Sequence, residues 1–342
     1  MRFYKDCEGL CFFLSVHFIF FIQVYLVYKV DDKESISQDN DNIILLFHKL
    51  FFYTIIFLTF YAHFQIAKSD PGIIDNINNI DMLEFYYFIY KEIIQLRQEY
   101  NLKYKENLND IYERRYSSED DEELEPKSEI KDKMKNLISR KFRMTLTRCK
   151  SCYSVRPFNS HHCRVCHACI LEQDHHCPWI NNCVGIFNKK YFILFNIYAF
   201  ISVIYGSSIY YYYTVFKNYK CFKNDLVQYL ISIFWGLFAF IYGLFVLIMV
   251  IEQRDNVVSE FRKYRKDKEI RRKMKKIKMR IIFGCNYSLK WFLPFFEGGK
   301  RYIYFYLRQK KLEFYLEQKE KENEKEKEKQ QENEKENNIS NK

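Results

Sequence analysis

Residues 191–216 read YFILFNIYAFISVIYGSSIYYYYTVF, a run in which no side chain carries a charge. A helix crosses the hydrocarbon core of a bilayer with about 20 mostly apolar residues, so this run predicts a transmembrane span. Residues 226–251 are equally free of charge. Upstream, residues 10–30 stay uncharged until Lys29, and residues 43–67 are apolar apart from His48, Lys49 and His63. The first segment lacks a small-residue cleavage site and reads as a retained span, not a removed signal peptide. Arg2 follows Met1, so no myristoylation glycine is offered. In the second segment Lys49 lies near one end, where it can snorkel to the headgroups. His48 and His63 read as interfacial or packed, with a proton or metal site as the alternative. The expected fold class is an all-α integral membrane protein with four transmembrane helices, at 10–30, 43–67, 191–216 and 226–251.

The remaining sequence is aqueous and strongly charged. The 342 residues carry a formal net charge of +11, with 33 Phe and 29 Tyr crowded into the apolar blocks. Their averaged hydropathy therefore mixes two environments and describes neither. A basic surplus suits an anionic lipid leaflet, and the spans argue against a nucleic-acid partner. Lys and Arg crowd Lys131–Arg148 and Arg254–Arg280, whereas Asp31–Asn42 is acidic with only Lys33. The positive-inside rule then puts both termini and the long central loop in the cytosol. Lys217, Lys220 and Lys223 in the last short loop run against this and are outweighed. Residues 68–146 form a linker, with an amphipathic helix expected around Asp81–Arg115 and disorder at Ser117–Glu125. Residues 252–312 are a basic C-terminal segment, and 313–342 are a charged low-complexity tail.

Seven of the eleven cysteines fall between Cys149 and Cys183. Paired Cys-x-x-Cys spacings with histidines between them favour metal in a reducing compartment over a disulfide framework. Zinc takes four tetrahedral thiolate or imidazole ligands, and close-spaced pairs deliver two at little loop-closure cost. Six cysteines and two histidines fill two such sites, which leaves one cysteine over. The run Asp174-His175-His176-Cys177 also packs acid, base and thiol more tightly than a zinc finger needs. An imidazole beside a thiol takes its proton, and a carboxylate beside the imidazole holds its tautomer. The plain alternative is that Asp174, His175 and Cys177 are loop residues between ligands.

That run, inside this cysteine frame and between spans two and three, resembles the DHHC family of membrane S-acyltransferases, or palmitoyltransferases. The resemblance covers the module at 147–190 without a gap. It implies a cytosolic zinc-binding catalytic module with two structural Zn2+ ions. One would be held by Cys149, Cys152, His162 and Cys169, the other by Cys163, Cys166, His176 and Cys183. It implies Cys177 as acyl-carrying nucleophile, His175 as base and Asp174 as the residue orienting that base. Sequence alone leaves the two histidines of the motif interchangeable. Asp70-Pro71-Gly72 after span two, bare of context a turn signal, also resembles the family. Val257-Val258-Ser259-Glu260 keeps the acid of the family's Thr-Thr-x-Glu and loses both hydroxyls. Gly284, Asn286 and Trp291–Pro294 resemble its C-terminal aromatic motif in compressed form.

The resemblance implies acyl-CoA (palmitoyl-CoA) as co-substrate and ping-pong transfer to cysteines of membrane-associated proteins, in a membrane of the endomembrane system. Arg148, Arg156, Lys189 and Lys190 are candidate phosphate contacts for CoA, with positive-inside anchoring as the competing role. Trp179, Phe192 and Phe195 are candidates to line an acyl groove. Ala199, Ser202 and Gly206 recur on one helix face and read first as a packing seam, then as an extension of that groove. The rival reading from another class is a catalytically silent, zinc-bearing membrane scaffold.

Overall fold

The computed structural model describes residues 7–29, 39–74, 95–96, 99–100, 103, 121–122, 146–153, 155–157, 160–217, 226–262, 266–284 and 288–295. Four long helices dominate: α1 (Cys7–Tyr28), α2 (Asp39–Lys68), α3 (Lys189–Tyr211, continued as a π turn Tyr212–Lys217) and α4 (Leu226–Arg262). Each contains a stretch long and apolar enough to cross a membrane, at Gly9–Tyr28, Ile43–Lys68, Lys189–Phe216 and Leu226–Arg254. In α3, 56 % of that stretch is buried inside the protein, against 22–28 % in the other three, which makes α3 the central helix.

The seam on α3 explains that position. Ala199, Ser202 and Gly206 are all buried, and a Cβ on Gly206 would come within 2.5 Å of both Gln23 Nε2 on α1 and Phe52 Cε2 on α2. Gln23 Nε2 donates to the Ser202 carbonyl at the same place. Small residues let backbones approach where lipid gives no hydrophobic drive for helix association. The stripe is therefore packed, and not an open groove. Phe20, Phe52, Ala62, Leu194, Val203, Trp235 and Ala239 belong to one core shared by all four helices. Polar pairs add direction, with His48 Nδ1 2.6 Å from the Tyr205 hydroxyl and Tyr210 Oη 2.8 Å from Ser232 Oγ.

The cysteine-rich module lies between α2 and α3 and is built of short strands, which the all-helical expectation did not include. They are β1 (Ile73–Ile74), β2 (Asp121–Glu122), β3 (Leu146–Cys149), β4 (Val155–Pro157), β5 (Ser160–Cys163), β6 (Ala168–Leu171), β7 (His175–Cys177) and β8 (Asn182–Val184). They form antiparallel sheets ordered β1-β6-β5, β2-β3-β4 and β7-β8. Strands of two to four residues carry too little apolar alternation to be recognised from sequence.

Three contacts fasten the module to the helix ends. Asp70 Oδ1 accepts the N–H groups of Gly72 and Ile73 at 2.8 and 3.0 Å, an Asx turn whose Gly72 has φ +108°. That turn delivers β1 to β6 with Ile73 opposite Ile170. Gly185 is needed beneath it, because a Cβ there would collide with the Pro71 carbonyl and lie 2.8 Å from Ile170 Cγ2. Asn182 Nδ2 lies 3.1, 3.2 and 2.9 Å from the carbonyls of Ile66, Ala67 and Ser69, capping the C-terminus of α2. Asn188 accepts from the Gly185 N–H at 2.9 Å and donates to the Cys183 carbonyl at 2.8 Å, tying β8 to the start of α3.

A fifth helix, α5 (Lys268–Phe283), follows α4. Asp267 caps it by accepting from Glu269 N and Ile270 N, both at 3.0 Å, and pairs with Lys103 at 2.7 Å. Ile270, Met274, Ile281 and Ile282 are buried, whereas Arg271, Arg272, Lys275 and Lys276 are exposed. Lys278 is the exception among its basic residues, buried and bonded to both carboxylate oxygens of Glu172 at 3.0 and 2.8 Å. Trp291 stacks on Phe283 with centroids 4.9 Å apart. Most of the 68–146 linker, Asn286 and residues 301–342 lie outside the described residues, as do the side chains of Val257, Val258, Ser259 and Glu260.

Candidate active site and metal centres

The strand pair β7-β8 sorts the motif by parity. Neighbouring side chains on a strand point to opposite faces, so His175 and Cys177 share one face and His176 takes the other. His176 stands opposite Cys183, and Cys177 opposite Asn182. On the Cys183 face, Sγ of Cys163, Cys166 and Cys183 lie 3.7, 3.4 and 3.6 Å from His176 Nδ1, and Cys166 Sγ is 3.4 Å from Cys183 Sγ. The second set gathers Cys149, Cys152, His162 and Cys169, with Cys152 and Cys169 Sγ 3.5 Å apart and Cys169 Sγ 3.8 Å from His162 Nδ1.

In each set the four ligand atoms lie within 4.8 Å of one another. Zinc bonds of about 2.3 Å to sulfur and 2.0 Å to nitrogen give tetrahedral edges of roughly 3.5–3.8 Å. The separations of 3.4–3.8 Å match those edges, and three thiolates with one imidazole is a zinc donor set, so both clusters fit the ion. Cys166 N–H and Gln173 Nε2 donate to Cys163 and Cys183 sulfurs at 3.3 and 3.5 Å, outer contacts that suit thiolates. The eight residues are the two sets expected from the resemblance.

Cys177, on the opposite face, is 4 % exposed among Ile66, Ile180, Val184, Tyr191 and Phe192. Burial pushes its thiol up to about 11, against the pull of N–H groups from Trp179 and Ile180. The sulfur is thus neutral at rest and needs a base. His175 faces the same side, edge-on to Phe192 with centroids 5.3 Å apart. Burial lowers its pKa, and the Asp174 charge opposes that.

Asp174 is the hub of the polar contacts. Its Oδ2 lies 4.0 Å from His175 Nδ1, 3.4 Å from Lys189 Nζ and 3.0 Å from Gln253 Nε2. Gln253, 3 % exposed on α4, was not singled out by its sequence; no spacing rule relates a residue in span four to a strand in the module. Lys189 is thereby engaged by Asp174, and Lys190 is 1 % exposed and donates to the Lys290 carbonyl at 2.8 Å. The side chains of Arg148 and Arg156 lie outside the described residues. Trp179 is exposed, edge-on to Phe12 at 4.9 Å and 6.4 Å from Phe245. Phe192 packs in the Cys177 cluster, and Phe195 lies one turn deeper against His63.

A family model described as DHHC palmitoyltransferase matches residues 143–268. The chain is similar to palmitoyltransferase ZDHHC3 of Rattus norvegicus, 31 % identical over 161 residues, 43 % of this chain and 52 % of the relative. Palmitoyltransferase ZDHHC20 of Homo sapiens is 39 % identical over 85 residues, 25 % and 22 % of the two chains. Palmitoyltransferase ZDHHC16A of Danio rerio is 51 % identical over 59 residues, 17 % and 15 % of the two chains. The matched stretch spans about half the length of the ZDHHC3 relative.

Proposed function

We propose, from the match of residues 143–268 to the DHHC palmitoyltransferase family model and the similarity to ZDHHC3, that this chain is a protein S-acyltransferase working through an acyl-Cys177 intermediate. The observation that carries the reading is the division of β7: His176 joins a metal-ligand set on one face, His175 and Cys177 share the other, and Asp174, just before the strand, lies 4.0 Å from His175. Both termini and the module would face the cytosol, as the basic segments require.

In the first step His175 takes the Cys177 proton as sulfur attacks the acyl-CoA carbonyl. A new S–C bond forms, the C–S bond to CoA breaks, and the proton leaves with the CoA thiol. In the second, a cysteine thiol of a membrane-associated protein attacks the acyl-Cys177 carbonyl, the acyl group moves, and Cys177 recovers a proton. Asp174 supports the imidazolium that forms transiently. Zinc bound by the two clusters would supply folding energy and a fixed frame for β7, with no part in the transfer.

Each buried acyl methylene contributes about 0.8 kcal/mol, which favours a long chain beside Trp179, Phe192 and Phe195. Lys189, Lys190, Arg148 and Arg156 remain the candidates for CoA phosphates, the two lysines only after exchanging their present partners. The exposed cations of α5 would rest on anionic lipid of an endomembrane leaflet. Incubating purified protein with labelled palmitoyl-CoA tests the reading: the expected result is a hydroxylamine-sensitive label on Cys177. An unlabelled protein with both zinc ions in place leaves the silent scaffold standing.

A further inference from the structure

Beyond α5 the chain makes a short turn at Leu289–Trp291, and the side chains there divide sharply. Trp291 is 5 % exposed and stacks on Phe283. Leu289, Phe292 and Phe295 are instead 81 %, 61 % and 45 % exposed. Large apolar side chains bared together in so short a stretch mark a surface with an apolar partner.

Phe295 shows where that surface lies. Its ring centroid is 4.6 Å from that of Tyr61 and 6.1 Å from that of Phe57. Both belong to the span-length stretch of α2, Ile43–Lys68, and Phe57 is itself 56 % exposed there. Those 26 residues are about 39 Å long, against roughly 30 Å for the hydrocarbon core. Centred on the core, the helix overhangs it by about 5 Å at each end. Tyr61 lies about two turns before Lys68, the last residue of α2, which is roughly 10 Å along the axis. Phe295 is therefore level with hydrocarbon. The backbone beside it suits a water-poor setting. The N–H groups of Trp291 and Phe292 donate to the Ser288 and Leu289 carbonyls at 2.9 and 3.1 Å. Lys190, at the start of α3, donates to the Lys290 carbonyl at 2.8 Å, and Pro294 has no N–H to bury.

We propose that residues 289–295 form a lipid-inserted wedge: Leu289, Phe292 and Phe295 enter the leaflet at the C-terminal end of α2 and pack among its acyl chains beside Phe57. The partner is lipid, because the patch continues the exposed face of a span at a depth that a soluble protein does not reach. The contact is apolar and separate from the pairing of α5 cations with headgroups, so it holds in uncharged lipid as well. It rests on α2 being a span, and stands whether or not Cys177 carries an acyl group.

Replacing Phe292 or Phe295 by para-fluorophenylalanine tests the wedge with almost no change of shape. The full chain is reconstituted in phosphatidylcholine nanodiscs, and fluorine NMR line widths are measured with doxyl-labelled lipid or with a water-soluble gadolinium chelate. Both fluorines should be broadened more by the lipid label than by the chelate, as should a fluorine placed at Phe57. Fluorotyrosine at Tyr153, 67 % exposed in the module, should show the reverse order. Broadening mainly by the chelate at Phe292 and Phe295 would overturn the wedge. Lines reached by neither reagent would overturn it too, since protein would then cover the face. Chelate-dominated broadening at Phe57 would remove the span on which the proposal rests. In the double variant Leu289→Asp, Phe292→Asp the Phe295 fluorine should pass from the lipid label to the chelate, with two zinc ions per chain retained. A fluorine that stays with the lipid would show Phe295 held by Tyr61 alone, and the wedge would not be a unit.

Discussion

Cys177 and His176 are adjacent in the chain, yet one faces Ile66 and Phe192 and the other faces three cysteine sulfurs. Replacing each should therefore separate two chemistries. Cys177→Ser is expected to abolish the hydroxylamine-sensitive label while leaving two zinc ions per chain, measured by metal analysis beside the labelling assay. Cys183→Ala should instead lower the zinc content to about one ion per chain and unfold the module around it, because the binding energy of structural zinc is folding energy. A variant that keeps full zinc would refute the ligand assignment. The residue types and their spacing were readable in sequence, and so was the leftover thiol. Which histidine serves the metal was not, since that depends on strand parity and β7 is three residues long. Gln253 and His63 were hidden for another reason: each meets the module across a distance in sequence that no periodicity records, 79 residues to Asp174 and 116 to Trp179.

Helices α1 to α4 announce themselves by long, largely apolar runs, interrupted in α2 by His48, Lys49 and His63. The joints between elements are quieter. Asn182 serves three carbonyls at the end of α2 through one side-chain nitrogen. Asn182→Ala should therefore destabilise the chain by about 1–3 kcal/mol through unsatisfied carbonyls, seen as a lower thermal midpoint with both zinc ions retained; an unchanged midpoint would dismiss the cap. At α5, Asp267 has its pKa lowered first by Lys103, then by the N–H of Ile270. A lowered carboxylate stabilises the fold fully above the ordinary aspartate value near 4 and loses that effect as pH falls through the lowered value. Hydrogen exchange at the amides of Glu269 and Ile270 should thus accelerate only at acid pH below that range. In Asp267→Ala it should be fast at neutral pH as well, and equal protection in the two proteins would exclude the cap.

The whole molecule joins a bundle of four span-length apolar helices to a basic helix, α5. Arg271, Arg272, Lys275 and Lys276 stay exposed on α5 while Lys278 is spent on Glu172. Each exposed cation near an anionic leaflet contributes about 1 kcal/mol. Changing these four to Gln should therefore lower the autoacylation rate in anionic nanodiscs to the rate measured in neutral ones, with insertion unaffected. A rate indifferent to both charge and lipid would leave them only a role in topology. The run of Lys and Arg after span four was legible as composition; the seating of α5 on Glu172 was not, since it spans 106 residues. That long reach also bears on how the protein is made. A ribosome delivers the residues of both clusters within one short stretch, Cys149 to Cys183, so all eight are at hand before span three begins. The amide of Gln253 emerges only after span four, and Lys278 later still. A nascent chain thus carries Cys177 and all eight cluster residues before Gln253 can clasp Asp174, and translation sets the order in which these contacts can form.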